Sequence, residues 1–141
     1  VYTVLMEGEK LEDDPIASEA KSLLDGHIVL SNKLVEKNHF PAIDVLKSLS
    51  RVATHVAPAR MQTTAAALRR AYSLFQEVEL LIRLNEYQPG TDSLIDEAVL
   101  IKPKLDEWCR QGRFDVDSPK QALVKLEAIV SKFESVIRSK G

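Results

Sequence analysis

The residues best suited to chemistry are concentrated in one stretch of this sequence, between Asp25 and Arg51. That stretch reads DGHIVLSNKLVEKNHFPAIDVLKSLSR; it joins a turn glycine, a β-branched apolar run, a short helical pattern, a second apolar run led by Pro41 and a final arginine. So many different signals within 27 residues are typical of a site-bearing α/β crossover and not of a simple helical bundle. By itself, Arg51 is most simply interpreted as a surface arginine paired with Asp or Glu.

The other reactive side chains do not form a recognisable centre. His27, His39 and His55 have no second ligand four residues away and no Cys/His cluster beside them, so no metal site is predicted. Cys109 is the single cysteine and cannot form an internal disulfide, which is typical of a reducing compartment. We expect Cys109 to be a small buried hydrophobe and not a nucleophile.

The composition is that of a folded chain in which basic and acidic residues nearly balance. With 141 residues and 45% hydrophobic content, the chain can bury a core as one domain or as two small lobes. Its 19 basic and 21 acidic residues give a net charge of -2, which argues against nucleic acid as a partner and against a polybasic membrane patch. The chain begins at Val1 inside an apolar run, without a signal region, so we expect it to be part of a longer protein.

Strands and helices alternate in the first third of the sequence. Val1–Met6 is a β-favouring run, and Asp14 is a good N-cap for a helix that Gly26 ends. His27–Leu30 predicts a second strand, Ser31 can cap a short helix, and the AIDVL run that follows is assigned as extended. This β-α-β-α order predicts the edge of a parallel sheet.

The remainder of the sequence is helical by pattern. Residues 59–84 contain no Gly or Pro, and apolar side chains recur there every three or four residues, which predicts one long amphipathic helix. Asp92 caps a second helix that Pro103 should bend and Gly112 should end. Ser118, Pro119 and Gln121 form a capping box for a third helix. We therefore predict an all-helical lobe of about three helices. Its core stripes are Met61, Ala65, Leu68, Tyr72, Phe75, Val78 and Ile82 on the first helix, Ile95, Ala98, Leu105 and Trp108 on the second, and Leu123, Leu126, Val130, Phe133 and Ile137 on the third.

With these elements placed, the sequence resembles a known family. DGHIVLS, a short Leu-containing helix, HFPAIDVL and SLSR are similar to the carboxy-terminal part of the ATPase of type III secretion systems and its flagellar export relatives, themselves similar to the catalytic subunit of rotary ATP synthases. The resemblance extends from YTVLMEG through PIASEAKSLLDG to YQPGTD and WCRQGRFD, and so covers nearly the whole chain. The sequence departs from the family at Asn32, where Arg is usual, at Asn38, often Gly, and at Phe40, most often Tyr.

The resemblance implies a predominantly helical chain with two parts. Residues 1–57 would be the α/β edge of a RecA-like parallel sheet, the last part of a nucleotide-binding domain, and residues 58–141 would be the all-α C-terminal lobe. The phosphate-binding G-x-x-x-x-G-K-[ST] loop, the magnesium-binding strand end and the catalytic Glu motif do not occur here. They would lie upstream, so ATP and Mg²⁺ would be bound mainly by the missing part, and this chain alone should not hydrolyse ATP.

The same resemblance assigns roles to three side chains. Arg51, at the end of the S-x-S-R run, would reach across the subunit interface to the phosphates of ATP; a guanidinium suits this role because it is always charged and presents a rigid fork of donors. Phe40 would stack on adenine, because stacking uses the ring face and does not need the hydroxyl of the usual Tyr. It could equally fill the core. Phe114 would be a second wall of the adenine pocket. Because the resemblance is looser around Phe114, a position in the core is the better interpretation of this residue.

The implied function is to energise type III protein export by releasing chaperones and unfolding substrates. The implied assembly is a homo-oligomeric ring, expected to be a hexamer, in the cytoplasm at the inner face of the membrane, peripheral to the export gate. Its implied partners are a coiled-coil stalk protein, a stator and chaperone–substrate complexes; the Glu86–Asp92 turn could meet the stalk or could be a plain exposed turn. The alternative function is a non-catalytic helical adaptor whose α/β segment is only scaffold.

Overall fold

The computed structural model describes residues 3–4, 14–112 and 114–139 of the chain, and helices dominate this part. The strand predicted over residues 1–6 lies outside the described residues apart from positions 3 and 4. Every other predicted helix and strand is present. In chain order the elements are α1 (Pro15–Leu23), β1 (Gly26–Leu30), α2 (Asn32–Glu36), β2 (Ile43–Ser50), α3 (Ala53–Val56), α4 (Ala59–Arg83), α5 (Ser93–Cys109) and α6 (Pro119–Ser139).

The two described strands pair antiparallel, so the prediction of a parallel sheet edge is wrong for this pair. Gly26 lies opposite Ser50, and Leu30 lies opposite Ile43. A parallel crossover needs a connection that returns the chain to the start of the first strand, usually along a helix. Here the one helix in the connection is the five-residue α2, which rises about 6 Å from end to end, whereas β1 is about 13 Å long. The chain therefore turns back and runs down β2 in the opposite direction.

Helix α1 begins as its sequence predicts. The Asp14 side chain accepts hydrogen bonds from the backbone N–H groups of Ile16 (2.9 Å) and Ala17 (3.2 Å), and Pro15 occupies the first turn, where its missing N–H costs nothing. Its apolar side is only weakly covered, because Ala17 is its one buried residue while Ile16 and Leu23 are each 77% exposed.

Helices α4, α5 and α6 pack around one core, which confirms the predicted helical lobe. The predicted core residue Met61 is 43% exposed, whereas Thr64, one turn later on α4, is buried. The predicted stripe on α6 is confirmed at its centre. The buried core comprises Ala67, Leu68 and Ala71 of α4, Leu94, Ala98, Ile101 and Leu105 of α5, and Leu126, Val130 and Phe133 of α6.

The ends of α5 and α6 show what fixes the loops between them. Asp92 caps α5 by accepting from Leu94 N at 2.7 Å, as predicted. The helix runs through Pro103 but ends at Cys109, three residues before the predicted stop at Gly112. Arg110 has an extended backbone, and Gln111 N turns away from the helix to donate to Phe40 O. The predicted capping box of α6 is confirmed, because Gln121 N donates to Ser118 Oγ while Ser118 N donates to Gln121 Oε1.

Gly26 is required where β1 meets the end of β2. A Cβ added to Gly26 would lie 2.8 Å from Leu49 O and 3.3 Å from Ser50 Cα, both of them backbone atoms that cannot rotate away. We expect Gly26→Ala to lower the free energy of unfolding by about 1–3 kcal/mol, measured by urea denaturation. Gly112→Ala should cost less, since its Cβ would meet the exposed Asp115 side chain, which can shift at the cost of one surface hydrogen bond, and would meet no backbone atom as closely. Equal losses in the two variants would contradict this account of Gly26.

Candidate functional site

Arg51 lies at the end of β2 with its side chain exposed. Its backbone N–H donates to Asp25 O at 2.7 Å, which holds the residue against the start of β1. Its guanidinium approaches Lys21 O at 3.4 Å, the outer limit of a hydrogen bond. Within the described residues Arg51 is not among the arginines that form ion pairs, so the surface ion pair considered from the sequence is absent from this part of the chain. Most N–H donors of the guanidinium are therefore available to another group.

The strand that carries Arg51 is interrupted by a bulge. Val29 pairs with Asp44 and His27 pairs with Leu49, so four residues of β2, positions 45–48, face one residue of β1. Asp44 Oδ1 accepts from the backbone N–H groups at positions 46 and 47, both at 3.1 Å. Ser48 Oγ donates to Asp44 O at 2.6 Å and accepts from Val29 N at 3.0 Å. These bonds close the bulged segment, the excursion of β2 over positions 45–48. Pairing of β2 with β1 resumes at Leu49, before Arg51.

His27 supports the same excursion from β1. Its Nε2 lies 3.0 Å from the carbonyl oxygen of Lys47. A carbonyl can only accept, so Nε2 carries the proton in the neutral ring and Nδ1 does not. Nδ1 is the buried side-chain atom without a hydrogen-bond partner in the described part of the chain. His27 is thus a structural contact to the bulge.

Phe40 lies at the other end of the strand pair, in the loop between α2 and β2. The ring-bearing residue is 48% exposed and precedes Pro41 through a cis peptide bond. Its carbonyl accepts from Gln111 N at 2.8 Å, which ties this loop to the segment that follows α5. Exposure to this degree argues against the core role that the sequence left open, and leaves a ring face available to a ligand.

Phe114 is carried by the segment that the Phe40 loop contacts. Gly112 N donates to Asp115 Oδ2 at 2.7 Å, Asp115 N donates to Gly112 O at 3.1 Å, and Gln111 Nε2 donates to Asp115 O at 3.0 Å. Phe114 is 87% exposed on this turn, so the expected core role is wrong. The structure therefore places the two aromatic candidates on loops joined by a hydrogen bond, and holds Arg51 at the opposite end of a strand ladder about 13 Å long.

A partly buried polar network fixes the end of α5 beside the Phe40 loop. Lys102 Nζ lies 2.6 Å from Asp106 Oδ2 and 5.0 Å from the centre of the Tyr72 ring, and Tyr72 donates to Asp106 Oδ1 at 2.9 Å. Burial raises the pKa of Cys109, so its thiol stays protonated and is a poor nucleophile. Burial lowers the pKa of His39, the residue before Phe40, so its ring is neutral at pH 7. The network is structural support for the loop.

The turn between α4 and α5 is built around Asp96. Tyr87 donates to Asp96 Oδ1, and Gly90 N donates to Asp96 Oδ2 at 2.9 Å. Gly90 has φ of +93°, a conformation that favours glycine. A shallow groove of about 260 Å³ follows the turn and is lined by Val78, Leu81, Glu86, Tyr87, Gln88, Thr91, Asp92 and Ile95. The predicted helical tip is thus a turn held by hydrogen bonds to Asp96, with a groove beside it.

The Tyr87–Asp96 contact predicts a late tyrosine titration. Burial and then the hydrogen bond to Asp96 raise the pKa of Tyr87 to about 12. Because this value lies above the ordinary one near 10, the bond stabilises the fold below pH 10 and its contribution is lost as the pH rises toward 12. We expect Asp96→Asn to lower the pKa of Tyr87, measured by tyrosinate absorbance with Tyr87→Phe as the baseline and Asp117→Asn as the control. An unchanged titration in Asp96→Asn would contradict the assignment.

The described residues carry no other evident centre. No three His, Cys, Asp or Glu side chains within them converge on a point where a metal ion could bind. None of the helices described is long and apolar enough to cross a membrane.

Comparison with known proteins decides the family. Residues 57–128 match the family described as the T3SS EscN ATPase C-terminal domain, which is half of the chain. The chain belongs to this family. Residues 1–50, which include Phe40 and all of β2, match the family described as the ATP synthase alpha/beta family, nucleotide-binding domain. A curated relative, the SPI-2 type 3 secretion system ATPase of Salmonella typhimurium, is 47% identical over 131 residues, 93% of this chain and 30% of that protein.

Solved structures of type III secretion ATPases have the same fold. The assembled ATPase EscN of enteropathogenic E. coli matches with a TM-score of 0.85 and 39% identity, over 92% of this chain and 31% of that one. EscN in complex with its central stalk EscO matches with a TM-score of 0.77 and 38% identity, over 82% of this chain and 29% of that one. The chain therefore spans less than a third of the length of these type III secretion ATPases.

Sequence reasoning overlooks the residues that hold Arg51 in place. It assigns Asp44 to an extended run and Ser48 only to the S-x-S-R run. An Asp whose side chain accepts from the N–H groups two and three residues later, followed at the fourth residue by a serine that bonds back to the Asp carbonyl, is a signal for a side-chain-closed turn. It interprets Gly26 as a helix stop, whereas the structure also requires its missing side chain for close strand approach.

Proposed function

We propose that this chain is the C-terminal part of the ATPase that energises type III protein export, with Arg51 acting on ATP bound by the adjoining subunit. The observation that carries the proposal is the exposed guanidinium at the end of β2, which meets no carboxylate among the described residues. An arginine held in this way presents its donors outward. Its rigid fork of N–H groups matches the oxygens of a phosphoryl group, and its charge is present at any physiological pH.

In this role Arg51 supplies electrostatic stabilisation and no covalent chemistry. During hydrolysis, negative charge spreads over the γ-phosphoryl oxygens as the bond to the leaving diphosphate breaks and water attacks. A guanidinium beside those oxygens stabilises the transition state more than the bound substrate. The groups that hold the phosphates, Mg²⁺ and the attacking water belong to the upstream part of the parent protein.

Phe40 and Phe114 are proposed to contact the adenine of the nucleotide held by their own subunit. Both rings are exposed, and the Gln111–Phe40 hydrogen bond brings their loops together. Their position at the end of the strand pair opposite Arg51 supports separate duties, in which one subunit offers its aromatic rings to one nucleotide and its guanidinium to the next.

The role of Phe40 predicts a selective loss of nucleotide affinity. In the full-length protein, Phe40→Ala should weaken ATP binding by about tenfold, because stacking of a base on an aromatic ring is worth about 1–3 kcal/mol. Phe40→Tyr should bind like the parent, since it keeps the ring face. The measurement is a titration with a fluorescent ATP analogue. Equal affinity in the parent and Phe40→Ala would remove Phe40 from the site.

We further propose the assembly and its setting. The subunits form a ring, expected to be a hexamer, at the cytoplasmic face of the membrane beside the export gate, where the ring releases chaperones and unfolds substrates. The tip from Glu86 to Asp92 and its groove are the surface offered to a coiled-coil stalk, and the stator and the chaperone–substrate complexes are further partners. The solved complex of the relative EscN with its central stalk EscO supports a stalk partner for this chain.

Turnover of the full-length protein separates this function from the adaptor alternative. An export ATPase hydrolyses ATP as an assembled ring, and a non-catalytic adaptor does not. We expect ATP-dependent phosphate release by the full-length protein at ring-forming concentrations, and none by the present chain alone. The match of residues 1–50 to a nucleotide-binding domain favours the ATPase. Absence of turnover in assembled full-length rings would support the adaptor.

A further inference from the structure

The bulge in β2 occurs three residues before Arg51 and determines where that side chain leaves the strand pair. Between the pairs Val29–Asp44 and His27–Leu49, β2 contains four residues and β1 contains one. Because side chains alternate across a strand, a shift of one residue in the return of β2 would send Arg51 to the opposite face. The geometry of the bulge therefore controls the direction of the guanidinium.

Ser48 is the residue that closes the bulge. Its hydroxyl donates to Asp44 O at 2.6 Å, across the base of the excursion, and accepts from Val29 N at 3.0 Å, across to β1. A hydroxyl can do both because it has one donor and two lone pairs. His27 of β1 also reaches the excursion, through Lys47 O, but among the described residues only Ser48 bonds both to the start of the excursion at Asp44 and to the partner strand at Val29. The carbonyl of Ser48 is also approached by Arg69 of α4 at 3.4 Å, so the helical lobe reaches the same residue.

We propose that Ser48 is a positioning residue for Arg51: its hydroxyl fixes the register in which β2 returns to β1 and thereby aims the guanidinium out of the subunit. This inference rests on the proposed function of Arg51. It adds a role for the first serine of the S-x-S-R run, which is half-buried and has both hydrogen-bonding capacities used inside its own subunit. Ser48 itself touches no nucleotide.

The test compares isosteric side chains at position 48 in the full-length ring. Ser48→Thr keeps a hydroxyl, and Ser48→Val has the same shape as threonine without it. We expect Ser48→Val to lower kcat by about tenfold or more with KM nearly unchanged, since small displacements of a catalytic group cost up to about a hundredfold. Ser48→Thr should retain kcat within about twofold. Ser48→Ala, which adds no volume, replaces the valine variant if that variant does not assemble.

A second arm asks whether the effect of Ser48 passes through Arg51. In an Arg51→Ala background, Ser48→Val should cause no further loss of kcat, because the group that it positions is gone. A purely structural serine would instead lower the thermal midpoint and the yield of rings, and its effect would be the same in both backgrounds. Full kcat in Ser48→Val rings, or an equal loss in the two backgrounds, overturns the positioning role.

The two proposals fail in different ways. If Arg51→Ala alone leaves kcat near normal, the proposed function of Arg51 fails, and with it the reason for Ser48 to matter. If Arg51→Ala lowers kcat but Ser48→Val does not, Arg51 keeps its role and the inference about Ser48 is wrong.

Discussion

Rings of the full-length protein that carry Arg51→Ala should hydrolyse ATP about a thousandfold more slowly than the parent, because arginines that stabilise phosphoryl transfer contribute about 10³–10⁵ in rate. The affinity for ATP and the assembly of rings should change little, since the contact is made mainly in the transition state. Arg51→Lys should also be slow, because an ammonium is a point charge and cannot replace a rigid fork of donors. Phosphate release under saturating ATP is the measurement.

The control for Arg51 is another exposed arginine of the same chain. Arg70 lies on α4 with its residue exposed, and Arg70→Ala removes one positive charge without touching the end of β2. We expect Arg70→Ala to retain turnover. A near-normal rate for Arg51→Ala in intact rings, or an equal loss in Arg70→Ala, would contradict a specific role for Arg51.

Among side-chain truncations in the described part of the chain, Phe133→Ala should produce the largest loss of stability. Phe133 is fully buried at 0% exposure on α6, within the core that α4, α5 and α6 share. Removal of a buried phenyl ring costs about 3–5 kcal/mol, from lost burial and from the cavity left behind. This is a large part of the stability of an ordinary domain, so the lobe should be partly unfolded at 37 °C. Urea denaturation followed by circular dichroism measures the loss.

Val124→Ala on the same helix is the matched control. Val124 is 59% exposed, so its truncation removes little buried surface and should change the free energy of unfolding by less than about 0.5 kcal/mol. The contrast isolates burial, because both substitutions place alanine within one helix. Similar losses at positions 124 and 133 would show that the core does not lie where α6 meets α4 and α5.

The helical lobe was predictable because its signals are local. Residues 59–83 form α4 as the apolar period and the absence of Gly and Pro predicted, and the Ser118–Gln121 capping box appears with both of its hydrogen bonds. Such patterns depend on neighbours within one or two turns. Tertiary packing decided only which side chains were buried most deeply. Met61 was predicted to be in the core, but Thr64 is buried instead.

The strand pair and the candidate site were less predictable because they depend on distant contacts. An apolar run indicates a strand but not the direction of its partner, which the short α2 connection determined here. Phe114 looked like a core residue, and only the turn closed by Asp115 places it on the surface. The position of Arg51 could be suggested by resemblance, whereas its support by Ser48 required the register of two strands.

Mixed rings show whether Arg51 serves the nucleotide of the adjoining subunit. One population carries Arg51→Ala, and the other keeps Arg51 but carries a disabled phosphate-binding loop in its upstream part. Each population alone is inactive. In a one-to-one mixture, about a quarter of the interfaces join an intact Arg51 to an intact nucleotide site, so we predict recovery of a comparable share of parental turnover. Mixed rings that assemble and remain inactive would place Arg51 at the nucleotide of its own subunit, or at none, and would contradict the account.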